Sequence, residues 1–445
     1  MPSFAHPLAP ALAAGLLALA AVAAAAAESA AGPLAPEAID ARIRAHRSAE
    51  VTLTVLDASG KPLAGREVAV RQTRHKFLFG CNIFGLNPKD SSPLQKGYQD
   101  RYTALLNYGT LPFYWGAFER EPGRTDTARV RAMAEWCRDH AVLTKGHPLC
   151  WHEVKPRWLS GKPPEEVERL QLGRIGRDVT AFAGLVGRWD VVNEAVRMPT
   201  FDPEKNEIAA LCKQLGAVEL IQRTFAAARK ADPKAVLLLN DFDTSPAYEA
   251  LLKGCLDAGV PIDVIGIQSH MHGGYWGAAQ AWSVCERFAK FGKPLHFTEL
   301  TILSGEMKKD IRWAGPYYTD WASTPEGETR QAEQVREFYR ILFSHPAVEA
   351  ITWWDFSDHG AWLGAPSGLV RKDMSPKPAY DVLMKMVKGE WWTAPRTLRT
   401  DAAGKAVFRA WLGEYAVESG GAAATVQVAT PGAAAATARL APPGR

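Results

Sequence analysis

Along its middle three hundred residues the chain alternates short apolar runs with stretches of helical periodicity. The apolar runs fall at 77–84, 105–113, 142–151, 188–193, 235–240, 262–269, 294–298 and 350–356. Several are rich in β-branched or aromatic residues and carry few polar positions, as in strands covered on both faces. Between them, Val130, Met133, Ala134 and Cys137 recur at helical spacing within 126–140. Ala332, Val335, Phe338 and Leu342 do the same within 325–343. Pro164 and Pro325 stand where a helix begins, the position that tolerates proline best. Eight strands alternating with helices predict an α/β protein, a (β/α)8 TIM barrel over residues 77–390. The rival is an open doubly wound sheet, but no GxGxxG turn follows the first strand.

The two ends of the chain carry a different pattern. Residues 51–55 and 67–71 alternate apolar and polar positions around a turn at Asp57-Ala-Ser-Gly60-Lys-Pro62. A similar turn at 398–404 precedes strand-like runs at 406–412 and 415–417. Such short hairpins are marginal alone. The expectation is a small accessory β module formed jointly by the N- and C-terminal segments, 28–76 and 391–445. The Ala/Pro/Gly-rich tail from Gly420 reads as low in complexity and partly disordered. Residues 1–27 read as a secretory signal: an Ala/Leu-rich run spans 8–26, and Ala25-Ala26-Ala27 fits small-residue cleavage before Glu28. Export to the extracellular space or periplasm follows from that reading, and a retained anchor is its rival.

Composition narrows the partners. The chain has 445 residues, 47% hydrophobic and 22% charged, with a formal net charge of only +4. Basic residues alternate with acidic ones, so neither nucleic acid nor, after signal cleavage, a membrane is an expected partner. The six cysteines show no CxxC spacing, which argues against a zinc or redox site. They read as buried thiols, with one or two bridges permitted after export. A monomer without metal or cofactor is expected.

Candidate chemistry gathers at the strand ends, which in a barrel face one cavity. Those ends offer Asn82, His147, Trp151, His152, Asn193, Glu194, Asn240, Asp241, Gln268, His270, His272, Glu299, Trp354 and Trp362. Indole faces stack on sugar rings, while amides and imidazoles bind hydroxyls. The mixture suits a neutral polyhydroxylated substrate better than a phosphate, which calls for arginine or a glycine-rich cradle. Glu194 and Glu299 each close an apolar strand, three strands apart. A carboxylate pair about 5 Å apart supports double displacement at an anomeric carbon.

Five ordered motifs then make a resemblance specific: Gly146-His-Pro-Leu-Cys-Trp-His152, Trp189-Asp-Val-Val-Asn-Glu194, Gly266-Ile-Gln-Ser-His270, Phe297-Thr-Glu-Leu300 and Ile351-Thr-Trp-Trp-Asp-Phe-Ser-Asp358. Together they resemble glycoside hydrolase family 10, which comprises mainly endo-β-1,4-xylanases on a (β/α)8 barrel. The likeness runs from about Phe77 to Tyr380. It implies a retaining glycosidase acting on β-1,4 linkages in xylan or a related plant-type β-glycan. It also implies Glu194 as general acid/base and Glu299 as nucleophile. Asn193 would hydrogen-bond the 2-hydroxyl of the −1 sugar, and His270 would hold Glu299 ionised. His147, Trp151, His152, Gln268, Trp354 and Trp362 would line the substrate site.

Two departures make the chain an atypical member. Where the family usually carries Glu-Asn…Lys-Trp to grip the −2 sugar, this chain has Leu111-Pro-Phe-Tyr-Trp-Gly116. The family's Asp in the nucleophile motif is here Thr301. Trp115, with Tyr114, is the candidate to rebuild the −2 contact by stacking. The alternative function is therefore a β-glycosidase acting on decorated or non-xylan oligosaccharides through an altered −2 site. More distant alternatives are a metal-dependent hydrolase built on His270, His272, His147 and His152, and a non-catalytic carbohydrate-binding barrel. Neither gives both carboxylates a role.

Overall fold

The structure is a computed structural model, and it describes residues 32–313 and 316–442. The expected signal segment at 1–27 lies outside the described residues. No helix among the described residues is long and apolar enough to cross a membrane. The described residues divide into two compact units, one made of those within 32–77, 338–346 and 385–442, the other of those within 78–337 and 347–384.

In the second unit each predicted apolar run overlaps a strand: β3 (Leu78–Asn82), β4 (Tyr108–Pro112), β5 (Leu143–His147), β6 (Arg188–Asn193), β7 (Val236–Asp241), β8 (Val264–His270), β9 (Leu295–Thr301) and β10 (Val348–Trp353). Neighbours pair in parallel and β10 closes on β3, giving the eight-stranded barrel. Trp189, Val191 and Val192 on β6, and Leu237, Leu238 and Leu239 on β7, are all buried. That is why these strands read as nearly unbroken apolar runs. The helices begin as expected of their local chemistry: Pro93, Pro164 and Pro246 occupy first-turn positions, and the side chains of Ser92, Asn206 and Ser245 accept hydrogen bonds from backbone N–H groups in the first turn. The 126–140 and 325–343 patterns become Thr127–Asp139 and Pro325–Ser344.

The barrel ladder is irregular where the chemistry sits. Register shifts fall between Asp190 and Val192 on β6, between Ile267 and Gln268 on β8, and between Ile351 and Trp353 on β10. A bulge re-aims the side chains that follow it. Close packing is also tight beside β5, where a Cβ on Gly146 would lie 2.2 Å from the Trp189 ring. Gly146→Ala should therefore destabilise the protein by about 1–3 kcal/mol, the usual cost of overpacking a core. A urea midpoint equal to that of the unsubstituted protein would contradict this.

The first unit contains a helix, Pro36–Arg47, and two sheets that mix strands from both ends of the chain. Here β1 (Ser48–Leu56) runs between β12 (Lys405–Trp411) and β15 (Gly432–Arg439), antiparallel to the first and parallel to the second. The other sheet has the order β11 (Arg396–Arg399), β2 (Glu67–His75), β13 (Gly413–Ser419) and β14 (Ala422–Val428). Val51, Leu53, Val55 and Phe408 of one sheet share a core with Val68, Val70, Tyr415, Val417 and Val426 of the other. The accessory β module is thus made by both termini. The expectation of disorder in the tail from Gly420 is corrected: residues 422–428 and 432–439 are strands. Their alanines have weak strand preference alone, and β15 is ordered by a ladder to β1 that runs from Ala49↔Gly432 to Leu56↔Arg439. All six cysteines are buried free thiols.

Candidate active site

The site begins with how β6 ends. Asn193 is the last residue of the strand, and Glu194 follows with φ 56°, in the left-handed region that non-glycine residues seldom occupy. Its N–H donates to the Asn240 carbonyl at 2.8 Å, anchoring this strained backbone. An outlier of this kind costs on the order of 1–3 kcal/mol and persists where the surroundings hold a side chain in a required direction.

The two strand-end carboxylates are joined by a chain of amides. Asn193 Nδ2 donates to Glu194 Oε1 at 3.0 Å, and Gln268 Nε2 lies 3.1 Å from both Glu194 Oε1 and Asn193 Oδ1. Asn240 Nδ2 lies 2.7 Å from Asn193 Oδ1 and 2.8 Å from Glu299 Oε1. Thr298 Oγ1 donates to Asn240 Oδ1 at 2.6 Å, which fixes which way that amide faces. Asn240 crosses toward these partners over Gly266, where a Cβ would lie 2.4 Å from its oxygen. On the other side, His270 Nε2 is 3.1 Å from Glu299 Oε2, and its Nδ1 is 3.0 Å from Thr301 Oγ1. With the Thr301 hydroxyl donating to Nδ1, Nε2 carries the proton toward Glu299.

Beneath this layer, His147 Nδ1 meets Asp190 Oδ2 at 2.7 Å and Lys145 Nζ meets the same oxygen at 2.6 Å. Burial pushes the Asp190 carboxyl up, and Lys145 and His147 more than offset it, so it is held below its ordinary value. His147 Nδ1 is also 3.9 Å from Glu299 Oε1.

Environment separates the two glutamates. Glu194 is 8% exposed, and its carboxyl is pushed up to about 8, mainly by burial, with the charges of Glu299 and Glu153 adding and the Gln268 hydrogen bond opposing. Glu299 is 4% exposed, and burial raises it too. The imidazoles of His147 and His270 outweigh burial there and hold it below the ordinary carboxylate value. One carboxyl kept protonated beside one kept ionised is the arrangement acid and base roles need.

An aromatic wall surrounds the pair. Trp354 packs edge-on against His147, His270 and Phe84 at ring separations of 5.4, 5.7 and 5.5 Å. Trp362 lies 4.7 Å from His270, with its backbone N–H held by Asp355 Oδ1 at 3.0 Å. Tyr114 stands 5.3 Å from His147, 5.6 Å from Trp151 and 5.7 Å from Phe84. Of the residues expected in the site, Glu194, Glu299, Asn193, His147, Trp151, Gln268, His270, Trp354 and Trp362 are brought together. His152 is buried beside Glu194, with its ring 4.3 Å from Phe201. Trp115 is a correction. It opens the short helix Trp115–Phe118, and its indole N–H donates to Glu119 Oε2 at 3.0 Å. Its ring packs against Trp158, so it belongs to the packing behind the wall. Tyr114, one residue earlier, is the ring that faces the carboxylates. Asn240 has a bridging role that nothing in the sequence assigns; it lies opposite Asn193 near the end of β7, and Asp241, which closes that strand, accepts hydrogen bonds from Val196 N in the loop after β6 and Asp243 N in the loop after β7.

A parallel barrel whose strand ends hold two carboxylates of opposed protonation, walled by indoles, defines a glycoside-hydrolase type of site. Comparison with known proteins agrees: residues 111–386 match the model for glycosyl hydrolase family 10. The chain is 28% identical over 290 residues to endo-1,4-beta-xylanase B of Thermotoga neapolitana, covering 62% of this chain and 78% of that one. Among solved structures, native xylanase 10B from Thermotoga maritima superposes with a TM-score of 0.59 at 26% identity, covering 71% of this chain and 96% of that one. Xylanase 10B from Thermotoga petrophila RKU-1 in complex with xylobiose gives 0.59 at 25% identity, covering 71% and 95%. The chain belongs to glycosyl hydrolase family 10.

Proposed function

We propose that this chain cleaves β-1,4 linkages in xylan or a related plant-type β-glycan with retention of anomeric configuration. What carries the reading is the amide-bridged carboxyl pair, with Glu194 protonated and Glu299 ionised. The similarity to xylanases, one of them solved with xylobiose, supports the substrate class. In this mechanism Glu299 attacks the anomeric carbon while Glu194 gives its proton to the leaving oxygen. Glycosylation removes the charge on Glu299, so Glu194 becomes more acidic and accepts a proton from water in the second step. Asn193 meets the sugar's 2-hydroxyl, a contact that strengthens as the oxocarbenium-like state forms. The test is hydrolysis of a panel of β-linked polysaccharides and aryl glycosides, with product lengths resolved and the first-formed anomer read by NMR. Retention on a β-1,4-xylan supports the reading; inversion, or activity confined to another linkage, contradicts it.

The pH profile follows from the same pair. As pH rises through about 8, Glu194 loses the proton it must donate, and kcat/KM should fall. As pH drops below the ordinary carboxylate range, Glu299 gains a proton and kcat/KM should fall again. An alkaline limb centred below pH 6 in kcat/KM would contradict the acid assignment.

A second reading is favoured by Tyr114. It belongs to the segment that lacks the family's −2 grip, and its ring stands against His147, Trp151 and Phe84. This fits a β-glycosidase acting on decorated or non-xylan oligosaccharides, with the −2 sugar held by stacking instead of hydrogen bonds. Tyr114→Ala should raise KM for substrates with two or more sugars on the non-reducing side by about tenfold, equivalent to about 1.4 kcal/mol. Aryl monoglycosides should be far less affected. Equal losses on both substrate types would rule this reading out.

A further inference from the structure

Beside the acid lies a buried group to which the proposed mechanism gives no step. His152 is 0% exposed, and neither of its ring nitrogens has a hydrogen-bond partner. A buried polar group without a protein partner carries a real cost, and in native proteins it marks strain, a functional role, or a site for an ordered water or ion. One His152 nitrogen, one carboxylate oxygen of Glu153 and one of Glu194 all lie within 4.8 Å of one another. One imidazole and two carboxylates is a donor set for a borderline cation such as zinc, which binds each at about 2.0–2.2 Å and leaves a fourth position open.

We propose that His152, Glu153 and Glu194 form a site for a zinc-class divalent cation, and that an ion bound there reversibly blocks hydrolysis. The inhibitory part rests on the reading of Glu194 as the general acid. A cation bonded to the Glu194 oxygen occupies the lone pair that would hold the catalytic proton, and that proton is released to solvent as the metal–oxygen bond forms. Arg197 is the cationic side chain that acts on both His152 and Glu153. Arg197, whose guanidinium lies 4.8 Å from the Phe201 ring, is the one charge named here that works against a cation. It tunes the affinity downward, so the ion regulates without being permanently held.

The test uses the full chain with Zn²⁺ as probe. Binding is measured by competition with a chromophoric chelator, and inhibition on an aryl glycoside is measured alongside, each variant relative to its own metal-free rate. The expected result is one ion bound, inhibition reversed by EDTA, and proton release on binding in weak buffer. Glu153→Gln should raise the half-inhibiting Zn²⁺ concentration about tenfold or more, and Arg197→Ala should lower it. Absence of binding, or identical Zn²⁺ affinity in the unsubstituted chain and Glu153→Gln, overturns the site. Binding that Glu153→Gln weakens, but that leaves hydrolysis untouched, supports the site and overturns the acid role of Glu194.

Discussion

Glu299→Ala is expected to abolish hydrolysis of every substrate, with turnover reduced on the order of 10⁵-fold or more, as removal of a covalent nucleophile does elsewhere. The reason lies in what the protein builds around this carboxylate. Burial alone would protonate it, yet His147 and His270 hold it ionised, and Asn240 fixes its other oxygen at 2.8 Å. No other carboxylate among those described here shares that combination of imidazoles and amide, so no neighbour can substitute. Activated aryl glycosides should not rescue this variant, because bond formation to carbon, not leaving-group departure, is what is lost. Steady-state rates that survive within a hundredfold would remove Glu299 from the mechanism.

Glu194→Ala should lose less, and lose it selectively. General acid catalysis contributes about 10²–10⁴-fold, and the need for it falls as the leaving group becomes a better anion. Natural β-glycans should therefore be nearly inert to this variant, while a dinitrophenyl glycoside should still glycosylate Glu299. Deglycosylation then lacks its base and becomes the slow step. Added azide, which needs no base, should restore turnover of the activated substrate and yield a β-glycosyl azide. Rescue of neither variant, or rescue of Glu299→Ala with the same product, would contradict the division of roles.

Much of this was visible in the amino-acid order. The eight strands show because both faces of each are buried, so their apolar runs are nearly unbroken. Glu194 and Glu299 stand out because a charge that ends such a run has few structural excuses. Other features depend on pairings between distant segments. The amide chain from Glu194 to Glu299 exists only because Asn193 lies opposite Asn240, and Asn240 opposite Gly266, in the barrel register. Nothing local to Asn240 announces that. Between Tyr114 and Trp115 the choice is made by a single helical turn, which directs Trp115 toward Glu119 and Trp158 and leaves Tyr114 facing inward. One turn is too short for periodicity to reveal its orientation. The alanine-rich end reads as formless for a related reason: its strand partner, β1, lies nearly four hundred residues earlier.

In the proposed mechanism a glycosyl group passes through Glu299, and trapping it is the direct measurement. A 2-deoxy-2-fluoro glycoside with a dinitrophenyl leaving group slows both steps but lets the activated first step proceed, so the covalent intermediate accumulates. Peptide mass spectrometry of the inactivated protein should find one added glycosyl unit, carried by the side chain of Glu299. A label on any other residue, or time-dependent inactivation without any covalent adduct, would contradict the proposed chemistry.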